Sequence, residues 1–287
     1  MVDRLKRGFS LDCEAGELRD ETSHSKTTRD NPEIVREYLE EEINAGSMFG
    51  PFRDPPLEDL HLNRINLKPK HETIDPNKPR NNQYRIIVDL SSPEGASVNT
   101  YIEDEDATVS YVKLDEVFDR LVEMGPGTLL FKIDIERAYR ILPVRKEDRR
   151  LLGIKFEEEY FVDATLPFGG RSCAKIFNAF GDVVCYAWER GCEVSCLVHY
   201  LDDFFGWASR GAKREAIRDF ERMIRRAEEW GIPLSEKKKS PLSTVEQFLG
   251  FEIETEGMTV SVPEEKRLRY LDTLTSRKIT IKPLGKR

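Results

Sequence analysis

Apolar and polar positions along the chain follow two periods. Residues 84–90, YRIIVDL, are dense in β-branched side chains and predict a strand. LDEVFDRLVEMG (114–125) instead places Leu114, Val117, Leu121 and Met124 on a helical period, and Gly125-Pro126-Gly127 stops it. TLLFKIDIE (128–136) then predicts a buried strand ending in a carboxylate, Asp134. FEEEYFVDATL (156–166) reads as a strand pair, SCAKIFNAFGDVVCYAWERG (172–191) as a long helix, and CLVHYLDDFFGWA (196–208) as a hairpin. A helix from Ser209 sets Ile217, Phe220, Met223 and Trp230 along its inner side, and FLGFEIETEGMTVSV (248–262) supplies two strands around a Glu256-Gly257 turn. Toward the N-terminus, Asn31-Pro32 opens a helix with Ile34, Tyr38, Glu41 and Ile43 on one face and Gly46 as its stop. The Pro- and Asn-rich stretch 47–82 predicts mostly extended and looped chain. Residues 1–30 are polar and without period, which predicts a mobile arm. Helices alternating with hairpin strands predict an α+β fold, its mainly antiparallel sheet packed on helices.

Composition sharpens this only in part. The 287 residues, 39% hydrophobic, suffice for one large or two small domains with a real core. The formal net charge of −8 does not point to nucleic acid, which needs local Lys and Arg, yet a basic groove can sit on an acidic protein. Five cysteines, odd in number and without a CxxC pair, argue against a disulfide framework or structural zinc. They predict a reducing, intracellular compartment, cytoplasmic or nuclear. No apolar run is long enough to span a membrane and no signal peptide opens the chain, so no membrane partner is expected.

The hairpin raises the chemical question. Asp202 and Asp203 lie between two apolar runs, and an uncompensated buried charge costs several kcal/mol. Acidic residues suit an exposed hairpin tip, and that reading stays open. The functional reading needs a cation and a third oxygen ligand. Asp134 lies 68 positions before Asp202, at a strand end. Three such carboxylates would bind two hard divalent ions, Mg²⁺ above all with Mn²⁺ as a substitute, in the manner of in-line phosphoryl transfer. Without a cation they would repel one another. Around them, Tyr139 and Phe168 also suit a core, His199 a packed position, Cys192 and Cys196 small core sites, and Lys237-Lys238-Lys239 a solvated face.

Ordered motifs narrow these alternatives. Tyr200-Leu201-Asp202-Asp203 resembles the YxDD box of reverse transcriptases, and Asp134-Ile135-Glu136-Arg137-Ala138-Tyr139 their first catalytic motif. Leu166-Pro167-Phe168-Gly169 matches the box between them. GPF…PP at 50–56, YRIIVDLSSPEGASVN at 84–99, RSCAKIFNAF at 171–180 and HYLDDFF at 199–205 resemble the tyrosine-recombinase-encoding (DIRS-like) retroelements.

The resemblance implies a right-hand polymerase: fingers at 31–110, a palm at 111–262 with a fingers insertion near 145–170, and the start of a truncated thumb at 263–287. It implies RNA-directed DNA polymerisation on a primed RNA or DNA template, with deoxynucleoside triphosphates as substrates. Asp134 and Asp202 would be the principal metal ligands, Asp203 a weaker or bridging one, and the Ile135 carbonyl a further oxygen. Arg85 and Lys78 would hold the triphosphate. Tyr139 would lie under the sugar and exclude a 2′-hydroxyl, beside Phe168 and Gly169 of the substrate site. Lys238 would protonate the leaving pyrophosphate. Two departures fall beside the nucleotide site: Gly170 replaces a large apolar residue, and Cys173-Ala174 replaces Ala-Pro. The short C-terminus, without an RNase H domain, sets a second expectation, a weakly active or inactive remnant that binds nucleic acid or protein. The oligomeric state is not legible.

Overall fold

The computed structural model describes residues 1–14, 16–70, 83–192 and 196–276. Its helices are α1 (Val2–Arg7), α2 (Lys26–Arg29), α3 (Pro32–Asn44), α4 (Asp104–Ala107), α5 (Leu114–Met124), α6 (Cys173–Cys192), α7 (Lys213–Glu229) and α8 (Glu264–Ser276). The first six strands are β1 (Met48–Phe52), β2 (Leu62–Pro69), β3 (Tyr84–Asp89), β4 (Leu129–Asp134), β5 (Gly153–Phe156) and β6 (Glu159–Asp163). Six more follow: β7 (Leu197–Tyr200), β8 (Asp203–Ala208), β9 (Ser240–Ser243), β10 (Val245–Phe248), β11 (Phe251–Glu254) and β12 (Thr259–Ser261). They divide into two compact units, residues 1–110 with 136–186, and residues 111–135 with 187–287. No described helix is long and apolar enough to cross a membrane.

The first unit is built on a five-stranded sheet in the order β1-β6-β5-β2-β3, antiparallel except where β2 runs parallel to β5. Two of these strands, β1 and β2, come from the stretch expected to be mostly extended and looped, and pair there into the sheet. Alternation builds β2: Asn63, Ile65 and Leu67 point inward, and the buried Asn63 amide donates to the Leu151 and Gly153 carbonyls. The α3 helix forms where expected, but its buried side is Ile34, Val35, Leu39 and Glu42, with Glu41 exposed. A buried carboxylate cannot be read from hydrophobic period, because only a partner elsewhere makes it tolerable. Residues 1–30, expected as an arm, contribute core side chains. Phe9 and Leu11 are buried, Phe9 forms a bridge with Val144, and Ser172 Oγ donates to the Leu11 carbonyl at 2.7 Å. Isolated apolar residues carry no period, and their partners are more than 130 positions away.

The second unit carries a four-stranded antiparallel sheet, β7-β8-β4-β9. Side chains alternate across β4, giving the sheet two different faces. On one face Phe131 meets Phe220 of α7 edge-on, and Phe204 meets Trp188 of α6. On the other, Leu130, Phe205 and Trp207 join Val117 and Leu121 of α5 with Phe248 and Ile253 in one apolar core. The buried side of α7 is Ala216, Phe220, Met223 and Ala227, whereas the expected Ile217 and Trp230 remain 38% and 42% exposed. The two C-terminal strands expected around Glu256-Gly257 are β11 and β12, and β10 adds a third through a turn at Leu249 and Gly250, both left-handed.

Candidate functional site

Register brings the carboxylates of the second unit together. Strands β4 and β8 pair from Leu129–Ala208 to Asp134–Asp203, so Asp134 and Asp203 face each other across the last rung. Leu201 and Asp202 form the two-residue link between β7 and β8, with Leu201 left-handed at φ 54°. The Ile135 N–H donates to the Asp202 carbonyl at 3.0 Å, and Ser235 N–H donates to the Asp134 carbonyl at 2.9 Å, tying the turn to the strand end. Asp134 is buried, whereas Asp202 and Asp203 are half-buried.

Two lysines compensate this cluster. Lys238 Nζ donates to Asp134 Oδ2 at 2.7 Å, and Lys132 Nζ lies 2.9 Å from Asp203 Oδ2. Sequence reasoning missed Lys132, although alternation carries the signal: in Lys132-Ile133-Asp134 the charged residues share one face. Burial pushes Asp203 up to about 6 against the pull of Lys132, with Asp134 and Asp202 adding to the rise. Burial, then the Asp134 charge, also raises Asp202. Burial works to lower Lys238, but its hydrogen bond to Asp134 and the three carboxylate charges outweigh this and raise it. His199 is packed as expected, stacked on Phe204 with Nδ1 3.2 Å from the Leu201 carbonyl oxygen.

The donor chemistry of this cluster fits a hard divalent cation. Asp134, Asp202 and Asp203 offer only oxygen, and Asp203 Oδ1 is buried without a hydrogen-bond partner. Among the described residues, however, no three His, Cys, Asp or Glu side chains are gathered tightly enough to hold a metal ion as they stand. The ammonium groups of Lys132 and Lys238 take the carboxylate oxygens instead.

In the first unit Arg85, Tyr139, Phe168 and Gly169 line one cavity of about 710 Å³, together with Ile34, Tyr38 and Glu41 of α3, Lys70, and Tyr84, Ile86 and Ile87 of β3. Lys70 and the α3 residues were not among the sequence candidates, because the helix reaches the cavity only through folding. Lys78 lies outside the described residues. Tyr139 packs against Phe168 and Phe177, with ring centroids 5.2 and 5.3 Å away. Gly169 takes φ 138°, and a Cβ there would lie 2.1 Å from the Val88 carbonyl oxygen, so only glycine fits. Asn99 secures the same loop, donating to the Gly169 carbonyl at 2.8 Å and accepting from Arg171 N–H at 2.9 Å. The two departures at this loop belong together: a Cβ on Gly170 would meet Cys173 Sγ at 2.4 Å, so the fully buried thiol fills the space a side chain would need.

Known proteins share this arrangement of elements. A family model described as reverse transcriptase (RNA-dependent DNA polymerase) matches residues 66–253. The enzymatic polyprotein of soybean chlorotic mottle virus is 27% identical over 171 residues, 58% of this chain and 24% of the polyprotein. The chain thus spans about a quarter of that relative's length. Foamy viral protease-reverse transcriptase in complex with double-stranded DNA superposes with a TM-score of 0.64 at 14% identity, covering 90% of this chain and 46% of that one. The same viral enzyme with an RNA/DNA hybrid gives 0.63 at 15% identity, covering 93% and 32%. These structures share the fold, and the matched family model spans both the 84–90 strand and the aspartate hairpin: the chain belongs to the reverse transcriptase family.

Proposed function

We propose that the chain is an RNA-directed DNA polymerase domain that adds deoxynucleotides to a primer 3′-hydroxyl on an RNA or DNA template. The observation that carries this reading is the Asp134–Asp203 rung beside Asp202, at the end of a buried sheet. The four motifs at 50–56, 84–99, 171–180 and 199–205 further support a source among retroelements that encode a tyrosine recombinase. In the proposed architecture, fingers comprise residues 31–110 and a stretch near 145–170, the palm is drawn from 111–262, and a thumb begins at 263.

Asp134, Asp202 and Asp203, with the Ile135 carbonyl, would hold two Mg²⁺ ions. When bound, such ions neutralise charge developing on the attacking and leaving oxygens of an in-line displacement. The residues of the chain do the rest. The primer hydroxyl gives its proton to solvent water, its oxygen bonds to the α-phosphorus, and the bond from that phosphorus to the oxygen bridging it to the β-phosphate breaks, so that pyrophosphate leaves with the electron pair. Lys238, held protonated beside Asp134, would give a proton to the departing pyrophosphate. Arg85, aided by Lys70 or Lys78, would clamp the triphosphate. Tyr139 would pack under the sugar, where a 2′-hydroxyl has no room.

Primer extension on RNA and DNA templates, with Mg²⁺ or Mn²⁺, tests this reading. The parent chain should extend the primer, and Asp202→Asn should abolish extension while melting at the same temperature or slightly above it in the absence of metal. A folded parent that binds primer–template yet never extends it would favour the remnant reading.

A further inference from the structure

Immediately around Tyr139 the backbone is held in an unusual way. Arg137 and Ala138 are both left-handed, at φ 67° and 42°, a conformation that is sterically unfavourable for a side-chain-bearing residue and persists only where the surroundings over-determine it. A single 3₁₀ turn, Ala138–Ile141, follows and carries Tyr139. On either side of Tyr139, Arg137 and Arg140 join a charge network within the first unit. Glu42 Oε2 accepts three N–H groups: one from Arg137 Nη2 at 2.8 Å and two from Arg140, Nε at 3.0 Å and Nη2 at 2.8 Å. Arg140 Nη2 also lies 2.6 Å from Asp163 Oδ1, and Arg137 Nη2 donates to Ser47 Oγ at 3.0 Å. Arg140 is 4% exposed and Asp163 fully buried.

We propose that Glu42 and Arg140 are positioning residues for sugar selection: their network fixes the Tyr139 ring in the cavity and so sets how strictly a 2′-hydroxyl is excluded. This rests on the reading of Tyr139 as the residue under the sugar. Glu42 sits on α3, the helix that also supplies Ile34, Tyr38 and Glu41 to the cavity. One carboxylate therefore ties a cavity wall to the residue that projects into it. Neither Glu42 nor Arg140 lines the cavity, so neither is placed to touch a substrate. Rejecting a single added hydroxyl is a steric task that an apolar pocket performs only to about a hundredfold, and a shift of about 1 Å suffices to lose much of it. A rigid guanidinium suits such a lock: Arg140 sets Nε and Nη2 together on Glu42 Oε2 while Nη2 faces Asp163, a planar arrangement that a freely rotating lysine ammonium does not reproduce.

The test compares kcat/KM for a deoxynucleotide and the matching ribonucleotide in the parent, Glu42→Gln, Arg140→Lys and Tyr139→Val. The ratio is blind to the fraction of folded enzyme, so a merely structural role would not move it. We expect Tyr139→Val to lose most of the discrimination, and Glu42→Gln and Arg140→Lys each to lose roughly tenfold, within the range such a pocket commands. Unchanged ratios in both network variants, with Tyr139→Val still relaxed, would overturn the positioning role and leave the sugar reading intact. An unchanged ratio in Tyr139→Val would sink the sugar reading and the inference with it. A crystal structure of Glu42→Gln gives a readout independent of activity: the Tyr139 ring should leave its 5.2 and 5.3 Å contacts with Phe168 and Phe177, and an unmoved ring would refute the lock.

Discussion

Each unit buries carboxylates, and the two units compensate them differently. In the first, the Arg140 side chain is 3% exposed between Glu42 at 11% and Asp163 at 0%. In the second, Asp134 is 6% exposed but its partner Lys238 is 58% exposed, and Lys132 sits beside Asp203 at 17%. Burial of the partner, more than of the carboxylate, separates a fixed cluster from an exchangeable one. A guanidinium enclosed by two carboxylates cannot leave without stranding Asp163, which is fully buried, and weakening the hold on Glu42. An ammonium on a solvated stem can swing away at little cost and leave its oxygen to another cation. The first arrangement suits holding a shape; the second suits admitting a metal.

The sharpest way to break this contrast is to remove one cation from each cluster. Arg140→Met should destabilise the chain by about 3–5 kcal/mol, since it leaves the fully buried Asp163 without its cation and Glu42 with Arg137 alone. Lys238→Met should cost under about 1 kcal/mol, as expected of a pair whose cation is mostly in water. Urea denaturation of both variants measures this directly, and equal losses would remove the distinction.

A smaller effect should come from the metal. If Mg²⁺ binds at Asp134, Asp202 and Asp203 as proposed, and only in the folded chain, then at tenfold excess over its dissociation constant it should stabilise the chain by about 1.4 kcal/mol. Thermal melting with and without EDTA reads the shift. Asp203→Asn should diminish it and Glu42→Gln should leave it intact; an unaltered shift in Asp203→Asn would place the ion elsewhere.

The smallest effect concerns pH and belongs to the first unit. His24 Nδ1 accepts Ile65 N–H at 3.0 Å and its Nε2 lies 2.9 Å from the Lys155 carbonyl oxygen, a pattern that fits the neutral ring. Burial holds its pKa below the ordinary 6.5, with the Lys155 hydrogen bond opposing. The unfolded chain therefore binds a proton that the folded one resists. Stability should be full above about 6.5 and decline as pH falls below it, by at most about 1.4 kcal/mol per pH unit for this group. In denaturation curves, His24→Gln should make the fall in stability toward acid shallower between about pH 5 and 7; His61, lowered by burial, acts in the same direction, and Asp203, raised by burial to about 6, acts against both. An identical slope in the variant would mean that His24 is not a source of it.

Much of both units was legible in the sequence because the signals are local. Period and punctuation marked β3, β4, α5, α6 and the β7–β8 hairpin to within a few residues. The order of the aspartate motifs identified the family, and the alternation in Lys132-Ile133-Asp134 held an unread clue to Lys132. Other features left no local trace. Glu42 looks like one of several interchangeable glutamates in EYLEEEIN, and Arg140 like a surface arginine. Their bond joins positions 98 residues apart.

The sequence by itself determined which segments become strands and helices, because hydrophobic period and turn residues act within a few positions. It also determined which residues bear the polymerase motifs. Only the tertiary structure decided that Asp134 meets Asp203 on one rung, that Phe9 and Leu11 belong to a core, and which lysine neutralises which aspartate. The physical reason is that a buried charge is tolerable only beside its compensating partner, and partners are chosen by register and packing across long stretches of chain.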